Sequence, residues 1–186
     1  MTDVNSSTPA SSPIRATDTA PGAPQDACLD PRHVVLVELL FFAYRDFTAE
    51  PDAILAELGF GRAHHRVLHF VNRNPGLRVA DLLGILKITK QSLARVLKQL
   101  VDQGYVVQTA GEADRRERRL HVTETGCALA GRLLGLQARR LAAALALAGP
   151  QSAGSAEAFL FGVISAGERP QVQRLVDGGL RSEEGE

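Results

Sequence analysis

Apolar and polar positions follow a helical period in the middle of the chain. A short apolar segment, 79–86, is separated by Lys87-Ile88 from a longer one that begins after Thr89. In the longer segment the apolar residues recur at intervals of three and four, at Leu93, Val96, Leu97, Leu100 and Val101. This spacing predicts an α-helix with one buried stripe. Thr89 suits its N-cap, and Gly104 favours a left-handed C-terminal cap.

A different pattern follows this pair of helices. Residues 105–109 and 120–123 are rich in β-branched and aromatic side chains, and Gly111 and a polar run lie between them. The pattern predicts a β-hairpin with a long loop. Two helices and a hairpin in this order predict a winged helix-turn-helix over about residues 62–123.

The chain before this unit predicts further helices. Pro31 follows Asp30 and suits a first helical position, and the segment after it is apolar around nearly its whole circumference. A short segment, 51–58, ends at Gly59, and a further helix is expected over 62–74.

The chain after the hairpin is also predicted to be helical. Thr123 suits the N-cap of a helix that reaches about Ala148, and a final helix is expected within 156–176. The fold class is therefore mainly α with a small β-hairpin wing. The helices at about 31–58 and 124–178 have more apolar surface than a monomer needs, which favours dimerisation through them.

Charge points to nucleic acid as the partner of the central unit. The chain has 21 basic and 21 acidic residues, yet residues 62–119 contain 12 Lys or Arg and only 5 Asp or Glu, a net charge of +7. A basic segment in a neutral chain is typical of a face for polyanions. The side chains predicted to contact double-stranded DNA are Thr89, Lys90, Gln91, Ser92, Arg95 and Lys98 on the second helix and Arg115, Arg116, Arg118 and Arg119 on the hairpin.

Residues 77–126 resemble the MarR family of bacterial transcriptional regulators. The most specific motif is Asp-x-Arg-x-x-Arg in the hairpin, with Asp114, Arg116 and Arg119, and it is followed by Thr-Glu-x-Gly at 123–126. The segment ITKQSLARVLKQLVDQGYV is especially similar to the PetP-type branch of that family. The resemblance extends more weakly over about residues 31–178 through the order of the helices.

The resemblance implies a homodimer that binds a pseudo-palindromic operator and is often modulated by a small effector. It also implies that Asp114 orients a neighbouring arginine without touching DNA. An effector pocket is expected between the dimerisation helices and the DNA-binding unit, and we expect an aromatic or amphipathic organic acid as its ligand. The side chains expected in its walls are Val37, Leu40, Phe41, Tyr44, His65, Leu68 and His69.

Two other functions stay open at this stage. Cys28 and Cys127 could form a redox pair, although the reactive cysteine of the oxidant-sensing branch aligns with Val37. Alternatively, the winged helix could bind a protein partner, for which an apolar or acidic recognition face would be expected. No catalytic motif or cofactor site is predicted. No metal site is predicted either, because His65 and His69 share a face but do not complete a zinc site.

The ends of the chain differ in composition from the rest. Residues 1–29 are dominated by Ser, Thr, Pro, Ala, Gly and Asp, which predicts a disordered tail, and residues 180–186 are expected to be a flexible tail. The domain is expected over 30–179. The sequence has neither the apolar core of a secretory signal nor a run of about 18–20 apolar residues that would span a membrane, so we expect a cytoplasmic protein.

Overall fold

The structure is a computed structural model that describes residues 30–111 and 117–181. The predicted tail at 1–29, residues 182–186, and Asp114, Arg115 and Arg116 lie outside the described residues. Within the described ranges the chain forms seven helices and three short strands. They are α1 (Pro31–Glu57), α2 (Arg62–Arg73), β1 (Leu77–Arg78), α3 (Val79–Leu86), α4 (Lys90–Asp102), β2 (Val106–Ala110), β3 (Arg118–Val122), α5 (Glu124–Ala148), α6 (Ser152–Val163) and α7 (Arg169–Arg181).

The predicted fold class is confirmed, with one strand added. The sheet is antiparallel and has the order β1-β3-β2. The sequence predicted the hairpin of β2 and β3 but not β1, which pairs Leu77 with Leu120 and Arg78 with Arg119. This extra pairing ties the start of α3 to the returning strand of the hairpin.

The segment at 51–58 is not a separate element, because α1 runs unbroken through Pro51. A proline inside a helix removes one hydrogen bond and crowds the carbonyl group one turn earlier. Near this position the Thr48 hydroxyl lies within hydrogen-bond distance of the carbonyl oxygens of Tyr44 (3.1 Å) and Arg45 (3.2 Å). The Pro51 side chain is fully buried. Burial of the ring therefore offsets part of the cost to the helix.

The single helix predicted within 156–176 is also wrong, since two helices, α6 and α7, occupy this part of the chain. The backbone becomes extended at Ile164 and ends α6 there. The Arg169 guanidinium donates to the carbonyl oxygens of Ile164 (2.9 Å) and Gly162 (2.7 Å), which would otherwise lack helical partners. Pro170 is the second residue of α7, and its missing N–H costs nothing in the first turn.

The described residues belong to two units that divide between Leu40 and Phe41. In the first unit, residues 31–40 are all exposed, including six apolar side chains at Val34, Val35, Leu36, Val37, Leu39 and Leu40. The second unit contains the hydrophobic core, to which the end of α1, helices α2 to α5 and the hairpin all contribute. Its fully buried members include Leu55, Val67, Leu68, Val71, Leu82, Leu100, Val106, Leu120 and Leu133.

The first turn of α5 packs tightly against the start of the hairpin. The Thr123 hydroxyl accepts a hydrogen bond from the Gly126 N–H (3.0 Å) and donates one to the Gly104 carbonyl oxygen (2.7 Å). The Thr123 N–H donates to the carbonyl oxygen of Tyr105 (3.1 Å). A side chain at Gly126 would collide with that same carbonyl group. The Thr-Glu-x-Gly sequence therefore supplies a cap and a close backbone contact.

Candidate nucleic-acid interface

Helix α4 presents one apolar and one cationic face, as the sequence predicted. Leu93, Val96, Leu97 and Leu100 are buried, whereas Val101, which was expected to continue the buried stripe, is 36% exposed. Thr89 is the N-cap, and its hydroxyl accepts a hydrogen bond from the Ser92 N–H (3.1 Å). Gly104 has the predicted left-handed conformation, with φ of +78°.

The turn between α3 and α4 contains a second left-handed residue. Lys87 has φ of 52°, and its N–H bonds the carbonyl oxygen of Leu83. The Lys87 ammonium pairs with Glu168 at 3.2 Å, and Arg66 on α2 donates to the Leu86 carbonyl oxygen at 3.2 Å. Contacts from two distant parts of the chain therefore hold this turn.

The cationic face of α4 is exposed at the positions predicted to contact DNA. Lys90, Gln91, Ser92 and Arg95 are exposed, and neither Lys90 nor Arg95 forms an ion pair within the described residues. Lys98 is also exposed but pairs with Asp102 at 2.6 Å, one turn further along the helix. Two cationic side chains are thus unneutralised near the start of α4, and a third is partly neutralised near its end.

The two described arginines of the hairpin lie on opposite faces of β3, because successive side chains of a strand alternate. Arg118 shares its face with the buried Leu120, and it lines a groove of about 970 Å³ together with Lys90 and Lys98 on α4. Arg119 lies on the other face and pairs with Glu117 at 3.0 Å. Arg118 therefore lines a groove that it shares with α4, whereas Arg119 is not among the residues that line it.

A carboxylate network positions Arg119. Strand pairing sets Arg78 directly opposite Arg119, and like charges in such positions repel. Glu117 lies 3.0 Å from Arg119 and 4.0 Å from Arg78, and Asp81 accepts two hydrogen bonds from Arg78 at 2.6 and 2.7 Å. These hydrogen bonds from Arg78 are the main reason why the pKa of Asp81 is lowered. Sequence reasoning missed the contact of Glu117 with Arg78, since Arg78 becomes a neighbour of the hairpin only through β1. Asp81 was also missed, although it lies only three residues after Arg78.

A second cavity, of about 540 Å³, lies against α2 in the second unit and contains part of the expected effector pocket. Tyr44, His65 and His69 line it. Leu68 is fully buried in the core, and Phe41 is 70% exposed and does not line the cavity. Val37 and Leu40 are exposed residues of the first unit. The other lining residues are Phe47, Thr48, Arg62, Arg66, Phe70, Leu134, Gln137, Ala138 and Leu141.

The polar groups of this cavity include two arginines, Arg62 and Arg66, that were not expected from the sequence. Burial lowers the pKa of His65, with Asp52 opposing the shift, and burial also lowers the pKa of His69, assisted by the charges of His65 and Arg73. Both histidines are therefore held in the neutral form at neutral pH. Arg62 pairs with Asp52 at 2.8 Å and stacks on the Tyr44 ring at 5.4 Å. Arg62 and Arg66, rather than the histidines, carry the positive charge of the cavity.

The remaining candidates for chemistry are sparse in the described ranges. Cys127 is a free, exposed thiol, and Cys28 lies outside the described residues. Within residues 30–111 and 117–181, no three His, Cys, Asp or Glu side chains are grouped to hold a metal ion. None of the helices in the same ranges combines the length and apolar character needed to cross a bilayer.

The fold and this surface define a winged helix-turn-helix protein, and comparison with known proteins places it in a family. A family model described as the MarR family matches residues 58–117. The HTH-type transcriptional regulator PetP of Rhodobacter capsulatus is 47% identical over 141 residues, which cover 76% of this chain and 85% of PetP. The chain belongs to the MarR family of transcriptional regulators, whose members bind DNA.

Solved structures of regulators show the same fold. The reduced form of MarR from E. coli superposes with a TM-score of 0.56 at 21% identity, covering 70% of this chain and 96% of that one. A SlyA-like transcription regulator from Listeria monocytogenes gives a TM-score of 0.52 at 19% identity, covering 83% of this chain and 93% of its own.

Proposed function

We propose that this regulator binds double-stranded DNA as a homodimer on a pseudo-palindromic operator, with α4 as the recognition helix in the major groove. The observation that carries the proposal is the exposed face of α4. Lys90 and Arg95 stand on it without carboxylate partners in the described chain, beside the polar side chains of Gln91 and Ser92. Phosphates would satisfy these charges, and a long donor such as arginine can read a guanine edge.

The residues of the interface have different roles in this proposal. Thr89, Gln91 and Ser92 surround the N-terminus of α4, where free N–H groups and the helix dipole favour a phosphate. Lys90 and Arg95 contact base edges or flanking phosphates, and Lys98 adds a weaker contact because Asp102 competes for it. The hairpin arginines Arg115, Arg116, Arg118 and Arg119 serve the minor groove, whose negative potential attracts arginine, and Asp114 orients one of them.

Dimerisation would cover apolar surface that the single chain leaves exposed. In the first unit the whole of residues 31–40 is exposed. In the second unit, Phe159, Leu160 and Val163 on α6 are 48–58% exposed, and Leu147 at the end of α5 is 91% exposed. Apolar patches of this kind favour a protein interface. A two-fold dimer would place two recognition helices about 34–36 Å apart, one turn of DNA.

A small effector is proposed to bind the cavity beside α2. Its walls are aromatic and aliphatic, with a few polar groups, which is the usual composition of a small-molecule site. Arg66 suits an anionic group, Arg62 adds a weaker contact because Asp52 competes for it, and the neutral histidines suit hydrogen bonding. An amphipathic organic acid fits this combination. Such a ligand would regulate DNA binding only if the DNA-competent and incompetent dimers bind it with different affinity.

Removal of the unpaired cations tests the recognition face. The operator would be obtained by selecting binding sites from a random duplex library with the purified full chain. Lys90→Ala/Arg95→Ala should lose roughly tenfold to several-hundredfold in operator affinity at physiological salt, because a base-reading contact is worth ~1–3 kcal/mol. The matched control is Arg132→Ala/Arg139→Ala, which removes the same charge from exposed positions on α5. Equal operator affinity for the Lys90/Arg95 variant and the wild type would refute the assignment of α4 as the reading helix.

A further inference from the structure

His64 on α2 is a buried histidine that none of the roles above uses. It is only 8% exposed, and its ring stacks on Phe60 with centroids 4.7 Å apart and planes at 14°. The Gly61 N–H donates to its Nδ1 atom at 3.1 Å, and its Nε2 atom lies 2.8 Å from Oε1 of Gln99 on α4. One imidazole thus connects the start of α2 to the middle of the recognition helix.

The two hydrogen bonds require a single form of the ring. A backbone N–H can only donate, so Nδ1 of His64 must accept and carries no proton. The ring proton of the neutral form is then on Nε2, which donates to the side-chain oxygen of Gln99. A doubly protonated ring would set an N–H against the Gly61 N–H. The contacts therefore select one neutral tautomer and also fix the orientation of the Gln99 amide.

The bond to Gln99 restrains α4 in a way that its apolar contacts do not. The buried stripe of α4 packs by non-directional contacts, which tolerate small rotations of the helix. A hydrogen bond weakens steeply when its angle changes. A helix with its side chains is about 10–12 Å across, so a rotation of about 10° moves an exposed side chain by about 1 Å. Base readout requires side chains to be held within about 0.5 Å of the productive geometry.

We propose that His64 is a positioning residue that sets the rotation of α4 for base readout through its Nε2–H bond to Gln99, without touching DNA. The inference rests on the proposed role of α4 as the recognition helix. Gln99 directly follows Lys98, and Arg95 lies one turn earlier on the same helix. The restraint therefore acts close to two of the side chains proposed to contact DNA. Phosphate contacts adapt more easily to a small rotation than bidentate base contacts do.

His64→Phe and Gln99→Leu test the proposal, since each keeps an apolar filler and removes the bond between α2 and α4. His64→Phe also removes the acceptor of the Gly61 N–H, whereas Gln99→Leu leaves that bond in place. Each should lower operator affinity about fivefold and leave affinity for unrelated duplex DNA unchanged within about twofold, since a single hydrogen bond is at stake. The double variant should be no weaker than the weaker single variant, because both substitutions break the same contact. Gln103→Leu makes the same exchange as Gln99→Leu at the exposed C-cap residue of α4, whose side chain has no hydrogen bond to α2 within the described residues, and it should keep the wild-type ratio of operator to unrelated DNA.

A purely structural role would give different results. A parallel fall in both affinities, tracking the unfolding midpoint of each variant, would overturn the proposal, as would additive losses in the double variant. Nitrogen-15 spectra of the free protein give an independent readout, with His64 expected as the Nε2–H tautomer in the wild type. A mixture of tautomers there would also overturn it. If His64→Phe does not fold, Gln99→Leu and the spectra still decide.

These outcomes separate the inference from the function on which it rests. Loss of operator binding in Lys90→Ala/Arg95→Ala with full binding by His64→Phe would reject the positioning role alone. Full operator binding by both variants would reject α4 as the recognition helix and the positioning role with it.

Discussion

The contact at Gly126 gives the sharpest stability prediction. A Cβ atom added there would lie inside van der Waals contact of the Tyr105 carbonyl oxygen, 3.0 Å from its carbonyl carbon and 3.3 Å from Cβ of Val122. These neighbours are mainly backbone, so a change of side-chain rotamer cannot relieve the overlap. Either the first turn of α5 or the start of the hairpin must move.

The size of the effect follows from two opposing terms. Replacing glycine by alanine inside a helix ordinarily stabilises a protein by about 0.5–1 kcal/mol. Overpacking costs about 1–3 kcal/mol and occasionally more, and a backbone collision belongs at the upper end. We therefore expect Gly126→Ala to lower the free energy of unfolding by about 2–3 kcal/mol. For a domain of this size the midpoint of thermal unfolding should fall by roughly 4–12 °C.

Gly131 on the same helix provides a matched control. A Cβ atom there would meet nothing within 4 Å, so Gly131→Ala should show only the stabilising helix term. Urea unfolding followed by circular dichroism, at one protein concentration for all variants, measures both changes. A Gly126→Ala protein as stable as the wild type would refute the steric reasoning. So would similar changes in the two variants, because only the contact with Tyr105 distinguishes them.

The cavity beside α2 gives two further predictions. In the first, complexes of the protein with labelled operator DNA are titrated with a panel of aromatic carboxylates. The wild type should be released from DNA at a ligand concentration about tenfold or more below that needed for Tyr44→Ala/His65→Ala, because the variant loses two contacts of about 1 kcal/mol each. Equal release of both proteins, or no release by any compound, would exclude regulation through this cavity. The lowered pKa values of His65 and His69 mean that the unfolded chain binds protons more readily than the folded one. Stability should therefore be fully present above about pH 6.5, the ordinary histidine pKa, and be lost as the pH falls towards the lowered values. His65→Gln/His69→Gln should lose less stability between pH 7.5 and 5.5 in urea unfolding, and an equal loss would contradict the role of burial.

Elements whose signals are local could be predicted from the sequence. The start of α4 follows from the side chain of Thr89, its buried face from the spacing of the leucines, and its end from Gly104, all within sixteen residues. The same holds for α5, which begins after Thr123 and ends at Ala148 as predicted. In each case a cap and a periodic stripe specify the element without a distant partner.

Features that depend on distant partners were missed. Strand β1 has only two residues and exists because β3, more than 40 residues later, supplies its hydrogen-bond partners. The role of Glu117 depends on that pairing. The hydrogen bond between Gln99 and His64 was not predicted either, because Gln99 borders the buried stripe of α4 and His64 lies 35 residues away. The lining of the cavity beside α2 was predicted only in part. His65 and His69 line this cavity, whereas Leu68 on the same helix is buried in the core.

The base of the hairpin has a practical consequence for engineering. Strands β2 and β3 keep their register from Val106–Val122 to Ala110–Arg118, and the Gly111 N–H donates to the Glu117 carbonyl oxygen at 3.0 Å. This bond fixes the positions of Gly111 and Glu117 relative to each other, whatever residues lie between them. Loops from other regulators could thus be grafted between Gly111 and Glu117 on an unchanged scaffold. A library of such chimaeras would test whether this segment sets minor-groove preference separately from the proposed recognition helix, α4.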